Sequence, residues 1–367
     1  MAVLPLSEAF TARALGVAWN NYQQSLGLPP YLGRAYFGTD KKMGLDLSFI
    51  KGRKGVPVAL KGSSFDAQAP LRDGIGFAQI QNTMPFFRES YMVTEKEEQE
   101  YMTFLNSAND VGANQVLREI MKSPLDLING ANVIPERMIW QLMAPVDGVP
   151  KITVLIDGKD PYDIHYTSDN GAAYKSTNFM EITTATDMWD APTTANPIQD
   201  ILDAQRRHRS VTGEVLADFI MNDKTFQMFC NAEATRKQVL GLTAYNEGIL
   251  ASDADIRSYM RNKYGINILV YNKMYSDVTG TTNAFIPDGI ITAVASNARQ
   301  LGTVMYGTTP EERSGSLTDG SLAIVDTGVA VYTYVTNHPI NTHCVVSEIV
   351  LPTYENMDSV FVMKVAA

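Results

Sequence analysis

Residues 45–93 restrict the possible folds of this chain more than any other segment. Between residues 43 and 62, apolar side chains alternate with polar ones on both sides of the turn "KGRKG", which is the pattern of a β-hairpin. The alternating apolar side chains are Leu45, Leu47, Phe49, Val56, Val58 and Leu60. The basic side chains at the tip are Lys51, Arg53 and Lys54. A two-stranded hairpin is only marginally stable in water by itself, so something outside it must cover its apolar face.

Either the rest of the chain or another subunit could supply that cover. The residues of this segment alone leave both possibilities open. The basic tip must meet either solvent or an acidic neighbour. The chain has 30 basic and 40 acidic residues and a formal net charge of −10, so a contact with another subunit and exposure to solvent both stay open. The same charge balance argues against specific DNA binding, because affinity for the phosphate backbone comes from Lys and Arg.

The length and the cysteines narrow the class of protein further. At 367 residues the chain exceeds the roughly 250–300 residues at which a single hydrophobic core stops growing, so we expect two domains or one with long excursions. No apolar stretch approaches the roughly 18–20 residues that cross a bilayer, and the first residues do not form a secretion signal. Cys230 and Cys344 are far apart in the sequence, and we expect both to be reduced and buried.

The remaining pattern predicts a mixture of helices and strands. A short helix is expected near residues 7–14, and a long one over residues 95–122, begun by the capping pair Thr94 and Glu97 and ended by Pro124. A second helical stretch covers residues 135–143, and residues 149–190 are expected to form three strands. Strands and helices then alternate between residues 196 and 306, with helix starts at Asn196, Asp223 and Ser252. Three further β segments finish the chain.

No group of residues has the spacing of a catalytic or metal site. Gly74-Ile75-Gly76 lacks the third glycine of a dinucleotide-binding fingerprint. His338, His343 and Cys344 are too few and too close together in a turn to predict zinc. Asp253 and Asp255 are expected to complement the dipole of a helix that they begin, and Asp203 is expected to pair with Arg206 on a helix surface. We therefore predict no cofactor, no metal and no enzymatic activity.

Several segments together resemble a known family. The segment "LGTVMYGTTPEER", residues 301–313, resembles the Tyr-Gly-x-Thr-Pro-Glu-Glu motif of the lambda-type major capsid proteins, the capsid protein E family. The motif residues here are Tyr306, Gly307, Thr309, Pro310, Glu311 and Glu312. Residues 195–206 and 348–365 are similar to two other family segments, although Asn196 stands where the family usually has aspartate. Residues 31–61 extend the resemblance towards the N-terminal end.

The resemblance implies an α+β fold of the Hong Kong 97-like phage capsid type, with an N-arm, an extended β-hairpin loop, a long spine helix on a β-sheet and an α/β axial domain. The implied ranges are an N-terminal arm, 1–44; an extended loop, 45–93; a peripheral domain with the spine helix, 94–195; an axial domain, 196–320; and C-terminal strands that return to the peripheral domain, 321–367.

The function that the resemblance implies is self-assembly into hexamers and pentamers that form the icosahedral head of a tailed phage around double-stranded DNA. In this family the extended loop lies on the adjacent subunit, so the resemblance also predicts that residues 45–93 form a subunit interface. The expected partners are copies of the chain, a scaffold protein, the portal, a decoration protein and the packaged DNA through non-specific contacts, with no membrane. The expected location is the virion, and the host cytoplasm during assembly. Because the sequence starts directly in the arm, the scaffold is expected to be a separate protein.

Two other functions stay open at this point. One is the shell of an encapsulin-like bacterial nanocompartment, which shares the fold but encloses enzymes. The other is a soluble enzyme whose site is scattered along the sequence. Some relatives also join loop lysines to asparagines of neighbouring subunits, but nothing singles out Lys51, Lys54 or Lys61 for such a bond.

Overall fold

The computed structural model describes residues 10–26, 31–51, 78–106, 110–156, 160–167, 169–241, 252–277, 280–298, 300–314 and 320–366. The α-helices are α1 Ala12–Leu26, α2 Glu95–Asn106, α3 Asp110–Met143, α4 Ala172–Asn178, α5 Pro197–Thr212, α6 Asp223–Asn231, α7 Glu233–Leu240, α8 Asp253–Tyr264 and α9 Pro310–Ser314. The strands are β1 Phe37–Lys41, β2 Asp46–Lys51, β3 Ala78–Thr83, β4 Phe86–Val93, β5 Lys151–Ile156, β6 Asp160–His165, β7 Phe179–Glu181, β8 Leu216–Met221, β9 Asn267–Val270, β10 Met274–Ser276, β11 Thr282–Ala284, β12 Ile290–Ala295, β13 Gly302–Tyr306, β14 Ser321–Val325, β15 Val329–Asn337, β16 Ile340–Pro352 and β17 Val360–Lys364. Short 3₁₀ helices cover Gly33–Ala35 and Met357–Ser359.

The chain divides into two compact units, each assembled from three segments. The first unit contains Met1–Leu47, Asn82–Arg137 and Thr303–Thr353. The second unit contains Ser48–Gln81, Met138–Gly302 and Tyr354–Ala367. Both units are therefore discontinuous in sequence, whereas the sequence predicted one discontinuous domain.

A six-stranded sheet organises the first unit. Its order is β1-β13-β16-β15-β14, and β4 also pairs with β16. The long strand β16 is central because it pairs with β4, β13 and β15, each time antiparallel. One face of the sheet packs on α1 and α3 through a core of apolar residues, which includes Trp19, Ile120, Ile128, Val331, Cys344 and Val346.

The helical part of the first unit confirms a predicted helix start and corrects a predicted helix end. Thr94 and Glu97 form the predicted capping box, in which the Thr94 N–H donates to Glu97 Oε2 at 2.8 Å and the Glu97 N–H donates to Thr94 Oγ1 at 3.4 Å. The predicted end at Pro124 is wrong, because α3 continues through both Pro124 and Pro135 to Met143. A proline inside a helix costs about 3 kcal/mol, and the burial of Ile120, Ile128 and neighbouring residues against the sheet offsets that cost.

Two further boundaries differ from the prediction. The segment 135–143, predicted as a second helix, is the C-terminal end of α3. The helix expected near residues 7–14 is α1, Ala12–Leu26, while residues 1–9 lie outside the described part of the chain. Because it continues through both prolines, α3 is a helix of 34 residues, which spans roughly 50 Å at about 1.5 Å per residue.

The second unit is built on a five-stranded sheet of order β7-β17-β12-β8-β9. Its core joins the sheet to α5, α6 and α8, with Phe219, Phe226, Ile256 and Phe361 among the buried residues. The predicted caps are confirmed at Asn196, which accepts the Gln199 N–H, and at Ser252, which accepts the Asp255 N–H. The predicted cap at Asp223 is wrong by one residue, because Asn222 caps α6 and accepts the Thr225 N–H.

The C-terminal strands separate between the two units. Strands β14, β15 and β16 join the sheet of the first unit. The last strand, β17, was expected to accompany them, but it lies between β12 and β7 in the second unit. Of the three strands predicted within residues 149–190, β5 and β6 form a separate two-stranded sheet and β7 has only three residues.

Candidate functional site at the roots of the extended loop

The motif residues of the sequence form a turn that joins β13 to α9 in the first unit. Tyr306 ends β13 as a buried residue, and its carbonyl accepts the Lys42 N–H at 2.7 Å. The Gly307 N–H donates to the Ile349 carbonyl on β16 at 2.8 Å. These two bonds connect the motif to the segment before the extended loop and to the central strand of the sheet.

Two glycines allow the close packing around Tyr306. A Cβ on Gly307 would lie 2.6 Å from Ile349 Cγ2 and 3.3 Å from Met84 Cε. A Cβ on Gly328 would lie 2.2 Å from Cδ1 of the Tyr306 ring. Side chains cannot approach this closely, so both positions need glycine as long as their neighbours keep their places.

Thr309 and Pro310 begin the short helix α9. Thr309 is fully buried, and its Oγ1 accepts the Glu312 N–H at 3.4 Å. Pro310 is the first residue of the helix, a position where the missing N–H has no intrahelical partner to lose. The two residues therefore fix where the helix starts, and this in turn orients Glu311 and Glu312.

Glu312 pairs with the outgoing root of the extended loop. Both of its carboxylate oxygens lie 2.8 Å from Nζ of Lys41, the last residue of β1. Its side chain is only 9% exposed, and that of Lys41 is 30% exposed. The pair is thus partly removed from water. Two charges interact more strongly in such a position than at an open surface.

Glu311 pairs with the returning root. Its Oε1 lies 3.3 Å from NH1 of Arg88 in β4, and its Oε2 accepts the Ser347 hydroxyl at 2.8 Å. Arg88 and Ser347 are opposite each other in the β4–β16 register. The roots are also joined directly, since the Met84 N–H donates to the Leu45 carbonyl at 2.8 Å. We call Lys41, Arg88, Glu311 and Glu312 the root clamp.

The predicted interface residues of the loop fall into three groups. Leu45 is 46% exposed, as expected for a surface that another subunit could cover. Leu47 and Phe49 are buried within the single chain, and the Phe49 ring lies 5.9 Å from that of Tyr166. The prediction that the whole apolar face lacks a partner in its own subunit is therefore wrong for these two. Lys51 ends β2, and Arg53, Lys54, Val56, Val58 and Leu60 lie outside the described residues.

Sequence reasoning missed a buried polar cluster in the first unit. Glu136 is fully buried, and its Oε1 accepts the Gly33 N–H at 2.8 Å. Arg34 donates from NH2 to the carbonyl and the side-chain oxygen of Asn132, at 2.9 and 3.0 Å. Glu348 is 1% exposed, and neither of its carboxylate oxygens has a hydrogen-bond partner among the described residues. The only signal in the sequence was a lone acidic residue within the apolar run of β16.

Burial dominates the electrostatics of this cluster. It raises the pKa of Glu348 well above its ordinary value, although the nearby Arg34 acts in the opposite direction. It also raises the pKa of Tyr306 to about 12, with Arg34 lowering that pKa and Glu348 and Asp326 adding to the rise. The neutral form of Glu348 is therefore favoured in the folded chain.

The other candidates for chemistry have structural roles. Cys230 and Cys344 are free and buried, as predicted, and burial raises the pKa of each thiol to about 12. The His343 ring stacks on Tyr334 at 4.9 Å. Asp203 pairs with Arg206 at 2.5 Å, as predicted.

Within the described part of the chain, no three His, Cys, Asp or Glu side chains are grouped so that they could hold a metal ion. Among the described helices, none has the length and apolar character needed to cross a membrane.

The fold is that of a phage capsid protein. The structure is similar to the crystal structure of a prophage capsid protein from E. coli CFT073, with a TM-score of 0.60 at 12% identity over 97% of this chain and 99% of that one. It is also similar to a phage-related protein from Bordetella bronchiseptica RB50, with a TM-score of 0.51 at 11% identity over 97% of both chains. The capsid of cyanophage A-1(L) gives a TM-score of 0.50 at 10% identity over 92% of both chains.

The sequence identifies the family within this class. The model of the family described as phage major capsid protein E matches residues 11–343, so the chain belongs to that family. No curated protein matches the sequence. Membership makes this chain a structural protein of a virus particle, one that associates with copies of itself.

Proposed function

We propose that this chain forms hexamers and pentamers that close into the icosahedral head of a tailed phage and enclose its double-stranded DNA. The observation that carries the proposal is the match of the family model to residues 11–343, on a chain with a phage capsid fold. Assembly would take place in the host cytoplasm with a scaffold protein and the portal, and a decoration protein would bind the finished shell.

Exposed apolar residues near the extended loop support a role in assembly. Met43 is 88% exposed, Leu45 46% and Ile50 60%. Removing such side chains from water stabilises an interface by roughly 25 cal/mol per Å² of apolar area. In a shell each copy gains this contribution from a neighbour, so these residues suit contact with a second copy better than permanent exposure.

The charge of the chain fits a container for DNA. With a net charge of −10, the subunit has no general attraction for phosphate, and contacts with the packaged DNA would be weak and non-specific. DNA packed against such a surface could move during filling and release.

Electron microscopy and sedimentation of the purified chain, with and without the candidate scaffold protein, test the proposal. Closed icosahedral particles are the expected product. A chain that stays monomeric at high concentration under both conditions would refute the proposed function. Particles that contain a specific enzyme in place of scaffold or DNA would instead favour a nanocompartment shell.

A further inference from the structure

We propose that the root clamp ties β1 and β4, the two roots of the extended loop, to a common point on α9, so that a second copy of the chain meets roots that are already in place. The assembly part of this proposal rests on the proposed function. The holding part concerns the single chain and stands by itself. The clamp residues lie on β1, β4 and α9, all in the first unit.

The first argument is the position of the clamp along the chain. Lys41 comes four residues before Leu45, the start of the predicted extended loop, and Arg88 lies within β4, in the returning part of that loop. Their partners Glu312 and Glu311 are 271 and 223 residues away in sequence. Two adjacent residues on one short helix therefore bind one root each, an arrangement that ties the roots to a common point.

The second argument is that the helix carrying the glutamates is itself fixed. A helix of five residues has little intrinsic stability. Here the Gly307 N–H bonds to Ile349, Thr309 is buried, and the Ser347 hydroxyl holds Glu311. These contacts leave the carboxylates few alternative positions, so each carboxylate is a fixed point to which one root is bound.

The third argument is burial. The side chains of Glu311 and Glu312 are 10% and 9% exposed, whereas Glu119, which pairs with Lys122 on the surface of α3, is 62% exposed. An exposed ion pair contributes little. A carboxylate that is largely removed from water is unfavourable once its cation has gone, so each clamp pair favours the conformation in which it is intact.

The test compares three variants of the full chain. Glu311→Gln/Glu312→Gln removes both negative charges of the clamp with little change in shape. Lys41→Glu/Glu312→Lys exchanges the charges of one pair and keeps the attraction between them. Glu119→Gln removes an exposed partner on α3 and is the matched control. Amide hydrogen exchange of residues 37–51 and 78–88 is measured on unassembled subunits, and particle yield and diameter are measured by electron microscopy.

We expect the double glutamine variant to keep the wild-type circular dichroism spectrum. Exchange at the roots should become about tenfold faster or more, since a loss of about 1.4 kcal/mol in local stability changes the open population tenfold. The yield of closed particles should fall and their diameters should vary. The charge-exchange variant should keep most of the wild-type protection and yield, and the Glu119 variant should match the wild type in both.

Unchanged exchange at the roots in the double variant would overturn the proposal, and so would a normal yield of uniform particles. If the double variant fails to fold, Lys41→Met leaves Glu311 and Arg88 in place and is subject to the same two criteria. If wild-type chains form no particles, the proposed function fails, while the exchange measurement still decides whether the clamp holds the roots.

Discussion

The most buried carboxylates of the first unit and Asp288 of the second unit lie in opposite environments. In the first unit Glu136 and Glu348 are 0% and 1% exposed, and burial raises the pKa of Glu348 well above its ordinary value. In the second unit Asp288 has a half-exposed side chain that accepts hydrogen bonds from Lys224 and Asn222. The hydrogen bond from Lys224 is the largest cause that lowers the pKa of Asp288.

This difference indicates where the stability of each unit comes from. The second unit has an apolar core around β8 and β12. Its polar side chains include local helix caps, and one of these caps, Asn222, also donates to Asp288 in a distant segment. The first unit buries ionisable side chains, and the partners of Glu136 and Glu312 come from distant segments of the chain. We therefore expect the second unit to be more sensitive to lost volume, and the first to be more sensitive to pH and charge.

The largest expected effect is a cavity in the second unit. Phe219 lies in β8 with no exposed surface. Phe219→Ala should lower the free energy of unfolding by about 3–5 kcal/mol, because the surrounding core cannot collapse into the space. Denaturant unfolding followed by tryptophan fluorescence measures this change. The exposed Val215→Ala is the control, with an expected change within about 0.5 kcal/mol. A loss below about 1 kcal/mol for Phe219→Ala would show that the core is loosely packed.

The next effect is overpacking in the first unit. Gly307→Ala places a methyl group 2.6 Å from Ile349 Cγ2 and should lower the free energy of unfolding by about 1–3 kcal/mol. The matched substitution Gly130→Ala within α3 meets no atom within 4 Å and should raise stability by up to about 1 kcal/mol. Thermal unfolding of the two variants separates the outcomes, and equal signs would contradict the packing around the motif.

The third effect is a gain in the free energy of unfolding when Glu348 is replaced, and the size of this gain depends on pH. The pKa of Glu348 is raised in the folded chain above its ordinary 4.5, so above that pH the unfolded chain loses a proton that the folded chain keeps. Stability therefore falls as pH rises from 4.5 towards the raised folded pKa. Glu348→Gln should remove this slope and gain stability relative to wild type at pH 8 more than at pH 5. Glu119→Gln, at an exposed site, should leave the slope as it is.

The smallest effect concerns Asp288 in the second unit, whose contribution to stability falls as the pH falls. The folded pKa of Asp288 is lowered below its ordinary 3.8, so its contribution is present above that pH and disappears as pH falls through the folded value. Asp288→Asn should cost about 0.2–1 kcal/mol at pH 7, the size typical of an exposed pair. The difference from wild type should vanish in acid. A cost that grows on acidification would contradict the assigned pairing with Lys224.

Local signals in the sequence predicted most of the elements and few of the contacts. The caps at Thr94, Asn196 and Ser252 were found because each cap and its partner lie within four residues. Pro124 was misread because a local rule gave way to the packing of α3, which no short window reveals. The capsid fold came from a resemblance that joins several segments.

The candidate site was found only in part. The motif residues from Tyr306 to Glu312 were identified, but their contacts were not, because Lys41 and Arg88 are more than two hundred residues away in sequence. The burial of Leu47 and Phe49 was missed for a related reason. Alternation shows that a strand has an apolar face, but it does not identify what covers that face.

The placement of the last strands has a consequence for the timing of synthesis. The first unit cannot complete its sheet before β16, residues 340–352, has been made, and the second unit lacks an inner strand until β17, residues 360–364, follows. A nascent chain that ends before these strands therefore has two open sheets and no finished surface to offer another copy. Both units therefore become complete within the same short stretch of translation, after most of the chain has already been made.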